Sequence, residues 1–306
     1  MNLSVVIPVY NGQDTIIELV ERLGNVLPGI SDSYETVLVC DGSPDHSWQV
    51  IEQLAARYPW VRGIELMRNY GQHNATLCGI REARHEIIVT MDDDLQNPPE
   101  EMRKLLDKLA EGYDVVYGVP RKREQAWWKG MFAALVKRSI SRVMGMPTVR
   151  DIGAYRAFRS RLRDAFRHYE GPDVLVDVLL SWGTWRFGSV TVDESPREVG
   201  VSNYNLWKLA KVSLLVLTSY TTIPLRLASI VGFLFTLFGF GVLGYVLTIY
   251  FTNWSIPGFP FLASTISIFS GVQLFALGIM GEYLARIFER TGGRRSYAIA
   301  FKTDPE

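Results

Sequence analysis

Short apolar runs alternate with segments of helical periodicity over roughly the first 120 residues. Aliphatic and β-branched side chains crowd residues 4–9 and 36–40, thin out at 63–67, and return at 86–91 and 114–118. Residues 15–27, 75–83 and 99–111 instead place apolar positions three and four apart, the period of a helix buried on one face. This alternation predicts an α/β domain with a mostly parallel sheet. Beyond residue 226 the pattern changes. Residues 227–251 are 25 uncharged positions in succession, and 261–281 are another 21, separated by a short turn-rich stretch. A span needs about 20 apolar residues, so two transmembrane helices in a hairpin are predicted; two buried helices of a soluble core are the alternative.

The pattern divides the chain into an α/β domain over 1–203, an amphipathic interfacial region over 204–226, the hairpin over 227–281 and a C-terminal tail over 282–306. In the interfacial region Trp207, Lys208 and Lys211 accompany a row of leucines and suit the headgroup level. Arg226 precedes the first span, and Arg286, Arg290, Arg294 and Arg295 follow the second. The positive-inside rule then places both ends in the cytoplasm, with the protein integral to the inner or plasma membrane.

Lys+Arg and Asp+Glu both total 32, so charge balance gives no support to a nucleic-acid partner. Cys40 and Cys78 are the only cysteines, each within or beside an apolar run. They suggest buried thiols in a reducing compartment, with neither a disulfide framework nor metal-ligand spacing. The N-terminus enters a strand pattern without a basic segment, so no cleavable signal peptide is expected.

Polar residues collect where the strands end: Pro8-Val9-Tyr10-Asn11-Gly12, Asp41-Gly42-Ser43-Pro44-Asp45, and Asp92-Asp93-Asp94-Leu95-Gln96. Ligands of open α/β sheets bind at the carboxyl ends of strands. Three adjacent carboxylates repel and persist most easily beside a cation. Strand alternation would direct Asp92 and Asp94 to one side and Asp93 to the other. The pair then suits Mg²⁺ or Mn²⁺, which completes its shell with phosphate oxygens; an acidic solvated loop is the alternative. There is no Gly-x-Gly-x-x-Gly and no Walker-type lysine loop, so a dinucleotide or ATP-hydrolysing site is not indicated.

These motifs resemble family 2 glycosyltransferases of the GT-A fold. The similarity is to the branch that charges polyprenyl phosphate, with dolichol-phosphate-mannose synthase and bacterial undecaprenyl-phosphate sugar transferases. It rests on Pro8-Val-Tyr10-Asn11, Asp41-Gly-Ser-Pro-Asp45, Arg68-Asn69-Tyr-Gly71-Gln72-His73, Asp92-Asp-Asp94-Leu-Gln96-Asn-Pro-Pro-Glu100, Arg197-x-x-Gly200-x-Ser202 and Pro224-Leu-Arg226 leading into the paired spans. The resemblance implies a GT-A (Rossmann-like) nucleotide-sugar domain and an oligomer, a homotetramer in particular.

By the same resemblance Pro8, Tyr10, Asn11, Asp41 and Asp92 hold the nucleotide, although Asn-Gly and Asp-Gly are also plain turn formers. Asp92, Asp94 and Gln96 hold a divalent ion, Mg²⁺ or Mn²⁺, against the diphosphate, and Asp93 is the dispensable member. The acceptor phosphate falls to Arg121, Arg123, Lys137, Arg138, Arg197 and Ser202. Relatives often show Arg-x-x-Arg here, but Pro120 occupies its first slot, which leaves Arg123 the stronger position. Asp92, Asp94, Arg123 and Asp151 form the expected catalytic set, Asp151 because Ala154 stands where relatives carry an acidic residue. His73 is expected to be packed or capping, and Cys40 to be core.

The implied reaction is metal-dependent, inverting transfer of one sugar from a nucleotide-sugar, UDP-glucose or a related UDP-sugar, to polyprenyl phosphate. A phosphate monoester, with a second pKa near ~6, is already an anion and needs cations more than a base. The alternatives are a glycosyltransferase acting on a lipid or glycan hydroxyl and a non-catalytic scaffold of the same fold. The first needs a carboxylate base, for which Asp173, Asp177, Asp193 and Glu194 are the acidic residues in the later half of the domain.

Overall fold

The computed structural model describes residues 1–121, 153–171, 174–193, 223–253, 259–291 and 295–303. The chain divides into two units, Met1–Asn203 with Gly293–Glu306, and Tyr204–Gly292.

In the first unit strands and helices alternate as β1 (Asn2–Val9), α1 (Ile16–Val26), β2 (Ser33–Cys40), α2 (Ser47–Arg57), β3 (Val61–Leu66), α3 (Gln72–Glu82), β4 (Ile87–Thr90), α4 (Met102–Ala110) and β5 (Val115–Pro120). There follow β6 (Arg156–Arg159), a 3-10 helix (Ser160–Phe166), the short α5 (Val176–Ser181), β7 (Phe187–Val192) and finally β8 (Ile299–Lys302). The eight strands form one sheet in the order β7-β5-β6-β4-β1-β2-β3-β8. Strands β4, β1, β2 and β3 run parallel, as do β5 and β7, while β6 and β8 are antiparallel to their neighbours.

Both faces of the central strands are covered, which is why they read as nearly continuous apolar runs. Leu3, Val5, Ile7 and Val9 of β1 join Leu19, Ile51 and Leu105 from α1, α2 and α4 in one core. Val6 faces the opposite layer with Ala75 and Leu77 of α3 and Val176 of α5. Helix α3 lies so close to the sheet that a Cβ on Gly79 would collide with Val6.

At the amino end of the strands Glu35 is buried among donors. It accepts Ser4 Oγ at 2.7 Å, the Arg84 amide at 2.6 Å and Arg62 Nη1 at 2.9 Å. Burial alone would raise its pKa, but these donors outweigh it and hold the carboxyl below its usual range.

Within the segment read as a C-terminal tail, residues 299–302 form a strand. The second long helix runs on through residue 291, and β8 closes the edge of the sheet. Met67 donates its amide to Ala298 O at 2.9 Å and Thr303 donates to Gly63 O at 3.0 Å. A four-residue strand of mixed polarity has too short a period for sequence reading to detect.

The second unit contains α6 (Ile223–Asn253) and α7 (Phe259–Thr291). They pack through Phe269, whose ring meets Phe235 edge-on at 5.9 Å and Phe238 at 6.4 Å, beside Gly239. By length and composition both can cross a membrane, through windows Leu225–Val242 (mean hydropathy 1.9) and Ile268–Ala285 (mean hydropathy 1.4). Most of their large apolar side chains are exposed, Phe233, Leu237, Leu274 and Phe275 among them. The hydroxyls of Thr248 and Thr252 donate to carbonyls one turn back, which satisfies them inside an apolar helix. Residues 204–222 of the expected interfacial region lie outside the described residues.

Candidate functional site

Strand β1 is the switch point of the sheet. The chain winds from β1 through β2 to β3 on one side and then returns to place β4 on the other. A crevice opens at such a point beyond the carboxyl ends of the strands. It encloses about 280 Å³ and is lined by Pro8, Gln72, His73, Thr90, Asp92, Arg156 and Asp177, together with Gly153 and Ala154.

The loops after β1 and β2 are knitted together by side chains. Asp45 accepts from the hydroxyls of Ser43 and Ser47 and from the amides of Ser47 and Gln13. Ser43 and Ser47 in turn accept the amides of Asn11 at 2.8 Å and Gly12 at 3.0 Å. These donors overcome the burial that would raise Asp45 and hold its carboxyl low. Asn11 is thereby fixed at φ +55, and it stands exposed beside Tyr10, which is 47% exposed.

Asp41, expected to hold the nucleotide, faces inward. It is 2% exposed, and its two oxygens accept the amides of Tyr70 at 2.7 Å and Gly71 at 2.8 Å. Burial pushes its carboxyl up against the opposing effect of those amides. Its residue type is legible in the sequence; its inward direction depends on a loop 30 residues away.

Strand β4 ends at Thr90, so residues 91–96 form a bend, with Leu95 at φ +59, rather than an extended run. Strand alternation therefore does not orient these carboxylates. Asp92 accepts from Gln72 Nε2, and Asp94 accepts the Gln96 amide at 3.2 Å. Asp93 turns beneath the β1 loop, where it accepts the Tyr10 amide and fills the place of a Cβ on Gly12. Its carboxylate is a packing element of that loop. Burial, then Asp92 and Asp94, push it up to about 7, and its buried Oδ2 has no hydrogen-bond partner.

That excess of negative charge, presented by hard oxygen donors, fits a divalent cation. Asp92, Asp94 and the side-chain carbonyl of Gln96 are the groups that would hold one. Among the described residues no three His, Cys, Asp or Glu side chains group to hold a metal. A cation here therefore needs Gln96 and ligand oxygens to complete its shell.

Part of the same lining is a buried polar cluster. The Arg156 guanidinium pairs with Asp177 and donates through Nε to Thr90 Oγ1 at 3.0 Å. Tyr117 donates its hydroxyl to the same Asp177 oxygen at 3.0 Å. His73 lies against this cluster, its pKa pushed down by burial with Asp177 opposing. Charged residues inside apolar strand and helix patterns, Arg156 and Asp177, were the available signal for it.

Arg121, at the carboxyl end of β5, places Nε 3.4 Å from Asp193 and is exposed. Of the other expected site residues, Arg123, Lys137, Arg138, Asp151, Arg197 and Ser202 lie outside the described residues.

Residues 4–169 match the family described as glycosyl transferase family 2. More than half of the chain is covered, and the protein belongs to that family. Its fold is similar to glucosyl-3-phosphoglycerate synthase from Mycobacterium tuberculosis in complex with Mn²⁺, UDP-glucose and phosphoglyceric acid. That match has TM-score 0.52 at 18% identity over 71% of this chain and 77% of the other. Mannosyl-3-phosphoglycerate synthase from Rubrobacter xylanophilus is similar with TM-score 0.50 at 14% identity, over 71% and 72%. The protein is a glycosyltransferase with a GT-A-like mixed sheet.

Proposed function

We propose that this glycosyltransferase moves one sugar from a UDP-sugar, UDP-glucose or a relative, to polyprenyl phosphate at the cytoplasmic face of a membrane. The observation that carries this reading is the state of Asp177. It lines the crevice together with Asp92, and Arg156 and Tyr117 both occupy it. A hydroxyl acceptor needs a base to take its proton, and a carboxylate tied to a buried guanidinium is poorly suited to that work. A phosphate monoester arrives as an anion and needs none.

In the proposed step a lipid phosphate oxygen bonds to the anomeric carbon as the bond from that carbon to the diphosphate oxygen breaks. The nucleoside diphosphate departs with the electron pair, and direct displacement inverts the configuration. A bound divalent ion supplies charge neutralisation to the departing diphosphate. Asp92, Asp94 and Gln96 would hold it, and the exposed Tyr10 and Asn11 are assigned to the nucleoside. Solved relatives bound to Mn²⁺ and UDP-glucose support the choice of metal and donor. Arg121, with Arg123, Lys137, Arg138, Arg197 and Ser202, is assigned to the acceptor phosphate. We assign Asp151 to the catalytic set and the tetramer to the assembly.

The membrane reading rests on α6 and α7 and on connectivity. The chain leaves the sheet-bearing unit before α6 and re-enters it as β8 after α7, so crossing in a pair returns it to the same side. Arg226, Arg286, Arg290, Arg294 and Arg295 make that side the cytoplasm.

The test is transfer by detergent-purified protein to undecaprenyl phosphate, with Mn²⁺ or Mg²⁺ and a panel of radiolabelled UDP- and GDP-sugars, beside Asp94→Ala. A lipid-extractable labelled product of inverted linkage, absent from the variant, is expected. Metal-dependent nucleotide binding without lipid labelling would favour a hydroxyl acceptor or a scaffold.

A further inference from the structure

The crevice is small for a whole nucleotide-sugar. Pockets that take a drug-sized ligand run to about 300–1,000 Å³, and this one encloses about 280 Å³. It suits one part of the donor, and Asp92 in its lining sets that part beside the diphosphate. Two groups are bonded to the diphosphate. The nucleoside is assigned to Tyr10 and Asn11, which do not line the crevice, and this leaves the sugar.

Most polar side chains in the lining already have a partner. Gln72 donates to Asp92, Thr76 Oγ1 to Gln72 O at 2.8 Å, and Thr90 Oγ1 to Ala154 O at 2.6 Å. Arg156 and Asp177 hold each other. His73 is the exception. It is half-buried on the second residue of α3, and among the described residues neither ring nitrogen has a hydrogen-bond partner.

Burial, opposed by Asp177 and joined by Arg156, presses the ring toward its neutral form. A neutral imidazole offers one N–H and one lone pair, and a hydroxyl group answers both.

We infer that His73 reads a hydroxyl group of the transferred sugar and so determines which nucleotide-sugar is accepted. Gln72 and His73 are then adjacent residues with separate tasks, the first on the Asp92 carboxylate and the second on the sugar. A sugar without that hydroxyl leaves the imidazole unpaired in the closed crevice, and a penalty of this kind is what makes a polar site selective. This inference rests on the nucleotide-sugar donor of the reading above and is independent of the lipid acceptor.

The experiment is titration calorimetry on the full chain in detergent with Mn²⁺ and no acceptor. The probes are UDP, a panel of UDP-sugars including UDP-glucose, and deoxy forms of the best-bound sugar, each lacking one hydroxyl. His73→Leu is expected to bind UDP as the parent does and the complete UDP-sugar roughly tenfold more weakly. One deoxy donor should lose roughly tenfold on the parent and nothing further on His73→Leu, because both changes remove the same contact. His73→Gln, which keeps a donor and an acceptor, should recover part of the loss.

Equal weakening of UDP and UDP-sugar overturns the inference and makes His73 a support of the loop after β4. So does a deoxy penalty that is identical in parent and variant at every hydroxyl. Where His73→Leu does not fold, the same comparison between the parent and His73→Gln decides. A parent that binds no UDP-sugar of the panel overturns the donor reading and the inference with it. The His73 signature without transfer to undecaprenyl phosphate supports the inference and overturns only the lipid acceptor.

Discussion

Gln72 Nε2, on the first residue of α3, donates a hydrogen bond to Asp92 Oδ1 at the end of β4. The amide fixes one carboxylate of the proposed metal loop from a different element of the crevice lining. Partners that orient a ligand carboxylate are worth roughly tenfold to a hundredfold in metal affinity or activity. Gln72→Ala is expected to raise the Mn²⁺ concentration needed for half activation by roughly tenfold, while Asp94→Ala abolishes transfer. Titration of activity with metal, at saturating donor, reads the shift. An unchanged metal requirement would remove Gln72 from this role.

The Asp177 carboxylate separates two mechanisms. If it is bound structurally by Arg156 and Tyr117, Asp177→Asn lowers the melting temperature, because breaking a buried pair costs about 3–5 kcal/mol. Transfer per folded molecule then stays within about tenfold of the parent, an order smaller than the loss of a general base. A stable Asp177→Asn protein that binds donor and no longer turns over would assign Asp177 as the base and favour a hydroxyl acceptor.

Gly12 has no room for a side chain because Asp93 Oδ2 and Val9 Cγ1 occupy the space. Gly12→Ala is expected to cost about 1–3 kcal/mol, as overpacking does, and to displace Asp93. Asp93→Ala combined with Gly12→Ala should recover part of that loss. Denaturant unfolding of the two single variants and the double variant measures the coupling, and simple additivity would show that the two sites do not touch.

Glu35 governs acid stability at the end of the sheet remote from the crevice. Its folded pKa is below the usual 4.5, so its contribution is fully present above that value. It is lost as pH falls through the depressed folded pKa. Melting temperature is expected to drop below pH about 4.5 in the parent and to depend less on pH in Glu35→Gln. The variant should also be less stable at pH 7 by about 3 kcal/mol, because the buried Arg62 loses the charge of Glu35. Parallel melting curves for the two proteins across that window would contradict this assignment.

Strand β8 should matter beyond its length. Removing residues 295–306 frees the Met67 amide and the edge of β3, and it takes away Ser296 from Gly171. Residues 67–71 lead into the amides that hold Asp41. Truncation is therefore expected to lower the melting temperature by several degrees, on the order of 1–2 kcal/mol. It should also weaken nucleotide binding, which calorimetry in detergent measures. Full retention of both would make β8 an incidental edge.

Local pattern carried much of the site. The β-branched run into Asp92-Asp93-Asp94 and two prolines is legible because a strand end, a charge cluster and a chain break fall within twelve residues. Asp45 was legible only as a motif letter. Its work, joining the loops after β1 and β2, reaches residues more than 30 positions back and depends on those strands being neighbours. Strand alternation does not reach Asp93, which lies three residues past the end of β4, and its place beneath the β1 loop depends on that loop. Arg156 and Asp177 are 21 residues apart, and no spacing rule announces that they meet.

Periodicity and composition alone establish an α/β unit followed by two long apolar helices, and an acidic loop at a strand end. Each of these is a local preference of the backbone or of apolar surface for a dry environment. The placing of β4 beside β1, the closing of the sheet by β8, the inward turn of Asp41 and Asp93, and the Arg156–Asp177 wall needed the folded chain. They depend on which segments come together across tens to hundreds of residues, where burial leaves each polar group to find whatever partner the topology brings to it.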